Sequence, residues 1–271
     1  MYSGSTLTKA SGRIMGAHQK IDRLADRQLK KLLGDRTNHF PPIQNIIHFE
    51  GNNGPDAIKR KSPAAKDEPW HFIQPYDDTD TELLAIIKYH FDQLVLSLRA
   101  KDDIRAGFEA AWLAHAIVDG LTPAHHYPYG EKVSELLGGI HMDEREGVKD
   151  RIFMQGASVP KMIANNWRFW GPKGVFMTHA AFELGIATIL KPINYPQNIC
   201  EGSYMAFVDS SNIRHWYRQT AQSVSTHEFY DRFYKDGWTR SLASEVRKYL
   251  IPVLVRSVAL AWYGAAIEAE T

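Results

Sequence analysis

The chain has 271 residues, with 44% hydrophobic and 23% charged side chains and a formal net charge of +1. It is long enough for one large core, and its neutral balance lacks the basic excess of proteins that grip long nucleic acid, so no stable nucleic-acid complex is expected. Cys200 is the only cysteine, which excludes an intrachain disulfide and a metal site of several thiolates.

The opening residues lack the apolar core of a secretory signal. That fits a cytoplasmic protein, or a secreted one whose leader has been removed. Residues 13–33 place Ile14, Ile21, Ala25, Leu29 and Leu32 at helical spacing, with His18 on the same stripe and Asp22 one turn onward. Residues 35–78 read as a long irregular stretch containing Asp56, Trp70, His71 and Phe72. A segment of that length inside a helical protein is usually functional or carries short elements of its own.

Thr79 and Glu82 have the form of a capping box, predicting a helix to about residue 99. The next helix spans about 103–119, with Ile104, Phe108, Ala111, His115 and Asp119 on one face and Gly120 and Pro123 closing it. Further helices are expected at about 146–166, 174–190, 203–224 and 241–268. The run from Ile251 to Ile267 is apolar, but Pro252, Arg256 and its length argue for a buried helix rather than a membrane span. Few stretches alternate with period two. The expectation is a single all-α domain with no transmembrane segment.

The polar residues on apolar faces carry the chemistry. His115 and Asp119 lie four apart on a core-facing stripe, and His179 and Glu183 repeat the pattern on the 174–190 helix. An unpartnered polar group there costs on the order of 2–7 kcal/mol. Asp119 also falls in a last helical turn, where the backbone dipole disfavours negative charge. A positive partner is needed, and a metal ion is one answer. Taken singly, each pair also reads as a core histidine bonded to a carbonyl or as a plain ion pair. An all nitrogen and oxygen donor set suits zinc.

These residues, in order, resemble the zinc-dependent phospholipase C and single-strand nuclease superfamily. The resemblance rests on His18, Asp56 fifteen residues before His71-Phe72, His115 with Asp119, Pro123-Ala124-His125, and His179 with Glu183. It implies a helical fold around two or three zinc ions. One ion would take Asp56, His71 and His115; a second His125, His179 and Glu183; a third His18 and Asp119. Asp56 would orient the attacking water or take its proton. Glu183, where the nucleases have Asp, leans toward the phospholipase branch.

The chain departs from the pattern at two points. Family members complete the third site with a mature N-terminal Trp, and here no Trp precedes Trp70. Asp22 is a candidate replacement, set against an ordinary solvent-facing helix charge. The interval from His125 to His179 is also longer than usual in the family and rich in rings, among them Tyr127, Tyr129, Trp167, Phe169 and Trp170. His126 matches no family position and is expected to be structural. The resemblance therefore implies phosphodiester hydrolysis, with a small phosphodiester or phospholipid as substrate. A nuclease or nucleotidase reading would use Trp70 or Phe72 to stack a base. A metal-binding protein without turnover is the reading from a different class. Nothing in the sequence fixes the oligomeric state.

Overall fold

The computed structural model describes residues 16–34, 36, 40–51, 53–61, 70–139, 153–194 and 208–271, without the side chains of 59–61. Ile14, Cys200 and the first parts of the helices expected at 146–166 and 203–224 lie outside the described residues. Among those described there is no strand, and the protein is all-α.

The helices are α1 (Ala17–Leu33), α2 (Ile43–Glu50), α3 (Pro55–Lys61), α4 (Glu82–Arg99), α5 (Asp103–Leu121) and α6 (Tyr129–Leu136). They continue as α7 (Val159–Trp170), α8 (Val175–Leu190), α9 (Ile213–Ser225), α10 (Phe229–Asp236), α11 (Arg240–Glu245) and α12 (Ile251–Glu270). The stretch expected to be irregular thus contains two short helices, α2 and α3. Neither could show a long apolar period in eight and seven residues.

Helix α5 is the axis of the molecule. Its first turn is solvated, and Ile104, expected on the inward face, is exposed. From Ala106 onward the helix is buried on nearly every side rather than along one stripe. Small residues (Ala106, Gly107, Ala110, Ala111, Ala114) let α2, α4 and α12 approach it closely. The Trp262 indole of α12 is fully buried and donates its Nε1–H to the Ala110 carbonyl at 3.0 Å. Truncating such a side chain costs about 3–5 kcal/mol.

Helix α12 follows α11 through a widened turn at Val246–Leu250, giving one continuous helical stretch from Arg240 to Glu270. Pro252 cannot donate to the carbonyl four residues earlier, and a widened turn before it accommodates that loss. The stretch is long and apolar enough to cross a bilayer, but most of its apolar window is buried inside the protein. It is a core helix, as the sequence led one to expect.

Thr79 does not cap α4. Its amide and hydroxyl both donate to Asp77 Oδ1, at 2.9 and 2.6 Å, and the helix starts at Glu82. Asp102 is a true cap, accepting the Arg105 amide at 2.9 Å to open α5. Ser158 caps α7 in the same way, and residues 153–157 before it are not helical. A turn bonded to Asp209 Oδ1 delays α9 to Ile213.

Candidate metal centre

Helices α1 and α5 bring His18 against His115, with ring centroids 4.0 Å apart and ring planes 7° from parallel. The stacked imidazoles lie between two carboxylates. On one side, the Nε2 atoms of His18 and His115 lie 3.0 and 3.2 Å from the two oxygens of Asp119. On the other, their Nδ1 atoms face Glu50 Oε1, at 3.7 Å from His18 and 2.8 Å from His115. Asp56, in the first turn of α3, places Oδ1 3.9 Å from His115 Nε2.

All of these groups are buried, Glu50 completely. The His18 Nε2 contact with Asp119, though short, lacks the geometry of a hydrogen bond, and both His18 nitrogens, Glu50 Oε2 and Asp22 Oδ2 have no hydrogen-bond partner. An unsatisfied buried group costs about 1–3 kcal/mol. Several donor atoms converging without hydrogen bonds are what a cation-binding cradle presents.

Burial works against charge on His115, but Glu50 and Asp119 outweigh it and hold the imidazole well above its ordinary pKa. Burial also opposes charge on Asp119, yet the neighbouring imidazoles, His115 foremost, hold its carboxyl well below the usual range. Without a metal, then, His115 is the cation that Asp119 needs, and a bound ion would displace its Nε2 proton. Asp22 is fully buried, not solvent-facing. Burial first, and the neighbouring Glu50 second, raise its carboxyl well above the ordinary range.

A second cluster joins the single-turn helix Pro123–His126 to α8. His125 Nδ1 donates to the His71 carbonyl at 2.9 Å. That fixes the tautomer, because a carbonyl can only accept. The other nitrogen, Nε2, lies 2.8 Å from Glu183 Oε1, and His179 Nε2 lies 3.2 Å from the same oxygen. Burial lowers the His125 pKa despite Asp119 and Glu183, while Glu183 itself is held well below the usual carboxylate range in spite of burial. His125 Nε2 and Glu183 Oε1 are thus within hydrogen-bond distance, and a shared proton or a bound cation would satisfy both.

The segment 70–81 forms a strap across this cluster. The Ile73 amide donates to the His125 carbonyl at 3.0 Å, answering the bond from His125 to His71. Farther along, Arg218 of α9 donates to the Asp77 and Asp80 carbonyls, and Gln222 Nε2 to the Pro75 carbonyl at 3.0 Å. Gly120 permits the approach of α9 to α5. A Cβ there would lie 2.2 Å from the Tyr217 hydroxyl, which itself contacts the Ile117 carbonyl at 3.3 Å.

Among the described residues, two sets of donor atoms lie within 4.8 Å of one another: His18, His115 and Asp119, and His125, His179 and Glu183. The second is the set implied by the resemblance. The first joins His115 to the residues expected of a third ion, with Asp56 at its edge. His71 belongs to neither; its ring lies 5.0 Å from that of His125. His126 donates Nε2–H to the Gly120 carbonyl at 2.8 Å, a structural role, and burial lowers its pKa to about 4. Phe72 is buried against Tyr129, with centroids 5.5 Å apart, and Trp70 packs edge-on to Phe72. Glu50 escaped the sequence reading because it ends a helix too short to show a period. No protein-family model, curated protein or solved structure matches the chain.

Proposed function

We propose that the two clusters hold zinc and that the chain is a zinc-dependent phosphodiester hydrolase of the phospholipase C type, in line with the superfamily its ligand order resembles. The observation that carries the reading is the facing of His125 Nε2, His179 Nε2 and Asp119-bound imidazoles toward carboxylate oxygens at 2.8–3.2 Å. Ligands about 2.1 Å from a tetrahedral zinc sit roughly 3.4 Å from one another, so the donor spacing suits that ion after slight expansion.

Bound zinc would supply a Lewis acid for the phosphoryl oxygens and lower the pKa of a water molecule. The residues of the chain do the rest. His125 is oriented by the His71 carbonyl, His115 by Glu50, and Asp119 faces Nε2 of both stacked imidazoles. Asp56 borders the first cluster without being among its closest donors, which suits it to orient the attacking water or take its proton. The second cluster is the more open: the His179 and Glu183 side chains are 14% and 15% exposed, against 1–6% for His18, His115 and Asp119. Substrate would enter there.

The packing of Phe72 favours phospholipase over nuclease chemistry. Tyr129 stacks on the ring and the His71 and His125 imidazoles crowd it, so it offers no open face to a base. The closure of the first cluster favours a metal site without turnover as the second reading, since catalytic zinc keeps an open position. Elemental analysis of the purified protein, paired with hydrolysis of a chromogenic phosphocholine ester and of a bis-aryl phosphodiester, separates these. Two or three zinc ions and turnover are expected. Zinc without turnover would support the structural role alone, and less than one zinc with no recovery on adding it back would sink both.

A further inference from the structure

The described part of the interval between His125 and His179 builds a small core of its own. Val133 and Leu136 of α6, Phe169 of α7 and Met154 before it form a buried apolar cluster separate from the main one. Among the described residues, no buried apolar side chain of α6 or α7 belongs to the main core. The side-chain amides of α7 also bond within this unit. Asn165 donates to the Leu136 and Gln155 carbonyls, both at 2.8 Å, and Asn166 to the Met154 and Met162 carbonyls at 2.7 and 2.8 Å. Helix α5, by contrast, is buried nearly throughout. Four buried apolar side chains offset little of the conformational entropy lost in ordering two helices, and a region with so few buried contacts opens more readily than the core.

This unit lies against the more open of the two clusters. Tyr129, the first residue of α6, stacks on Phe72 of the strap with ring centroids 5.5 Å apart and stands 5.3 Å from the His179 ring. Glu131 accepts from Gln74 of the strap at 3.4 Å. At the far end, Lys173 lies 5.9 Å over the exposed Tyr234 ring, a weak tether. Helix α8 serves both cores: Phe176 packs against the small one and Phe182 is buried in the main one, with His179 between them. Phe169 and Trp170 of α7 reach Phe176, with centroids 5.6 and 4.8 Å away. The changeover between the two cores thus falls at a residue of the cluster.

We propose that α6, α7 and the turn joining α7 to α8 form a lid that opens as one unit while the main core stays folded, and that opening lifts Tyr129 off His179. The closed state is the one described above. The lid sets how often the His179 ring is fully accessible. It needs neither metal nor turnover, so it stands apart from the hydrolase reading.

The test is amide hydrogen exchange on the full-length chain with chelator present, paired with carbethoxylation of His179 followed by peptide mass spectrometry. The bonded amides of α6 and α7 should share one opening equilibrium, about tenfold or more above that of the α5 amides. Phe169→Leu should raise both the exchange of α6 and α7 and the labelling of His179 by about three- to tenfold, with α5 unchanged. Should that variant melt the unit outright, loss of protection in α6 and α7 with α5 still protected, and His179 labelled freely, is the same result in a stronger form. Tyr129→Ala should speed labelling of His179 without speeding exchange in α7, and Tyr129→Phe should do neither. Exchange of α6 and α7 only together with α5, unequal openings of the two helices, or His179 labelling that ignores Phe169→Leu while α6 and α7 open would each overturn the proposal.

Discussion

The two clusters are built from the same residue types and differ in what surrounds them. The His18–His115–Asp119 cluster is sealed between α1, α2 and α5, with two further carboxylates, Glu50 and Asp22, buried behind it. The His125–His179–Glu183 cluster sits where a single-turn helix, the 70–81 strap and α8 meet, and solvent reaches two of its members. Charge in the sealed cluster has nowhere to go except to another member, so its residues are bound up with stability. Charge in the open one can be shared with water or substrate. The same residue types are thus sealed into the fold in one place and left open to solvent in the other.

The sharpest way to break this contrast is Asp119→Ala. It strands two buried imidazoles and is expected to destabilise the protein by about 3–5 kcal/mol, read from the shift in urea midpoint, with loss of bound zinc from the sealed cluster. His125→Ala should cost less, about 1–3 kcal/mol for the buried partners it leaves unsatisfied, while hydrolysis falls to background and about one zinc per chain is lost. Equal stability losses in the two variants would erase the distinction drawn here.

A smaller effect is expected from Glu50→Gln. The carboxylate bonded to His115 Nδ1 orients that imidazole from behind, and replacing such a partner weakens metal binding by about 10–100-fold. Competitive titration with a chromogenic chelator measures it, and an unchanged affinity would make Glu50 a bystander.

The smallest effect is predicted for Asp22→Asn in protein kept free of metal. Asp22 has its folded-state pKa raised. The stability tied to its proton is fully present below the ordinary carboxylate pKa and is lost as pH rises toward and through the folded value. Asn cannot lose that proton. The variant should therefore match wild type in acid and become the more stable of the two as pH is raised. Parallel pH–stability curves would show that Asp22 is not held protonated.

Which of these features the sequence reveals depends on range. The i,i+4 pairs His115–Asp119 and His179–Glu183 lie on long helices, so their spacing alone puts each pair on one face. The single-turn segment with His125 is legible through Pro123 and its fixed offset from Asp119. Glu50 and the burial of Asp22 are not, because both depend on α2 folding back against α1 and α5, a contact across tens of residues that no local period encodes. Ile104 misled for a related reason. Its spacing is right for the stripe, but α5 projects its first turn beyond its neighbours. The Thr79 capping pattern likewise lost to Asp77, whose carboxylate is the stronger local acceptor.

The exchange of bonds between strap and single turn has one more result. Because the His71 carbonyl accepts from His125 Nδ1, and Ile73 holds the His125 backbone in return, docking of the strap and the proposed capture of zinc at His125 would be thermodynamically linked. Linkage is reciprocal: whatever factor the docked strap contributes to zinc affinity, zinc returns to strap docking. Arg218 and Gln222, which pin the strap from α9 and bear no donor atom of the centre, would thereby become remote determinants of the proposed metal's affinity. Slower hydrogen exchange at the Ile73 amide on adding zinc, and weaker zinc binding in Arg218→Ala, would be two readings of one coupling constant.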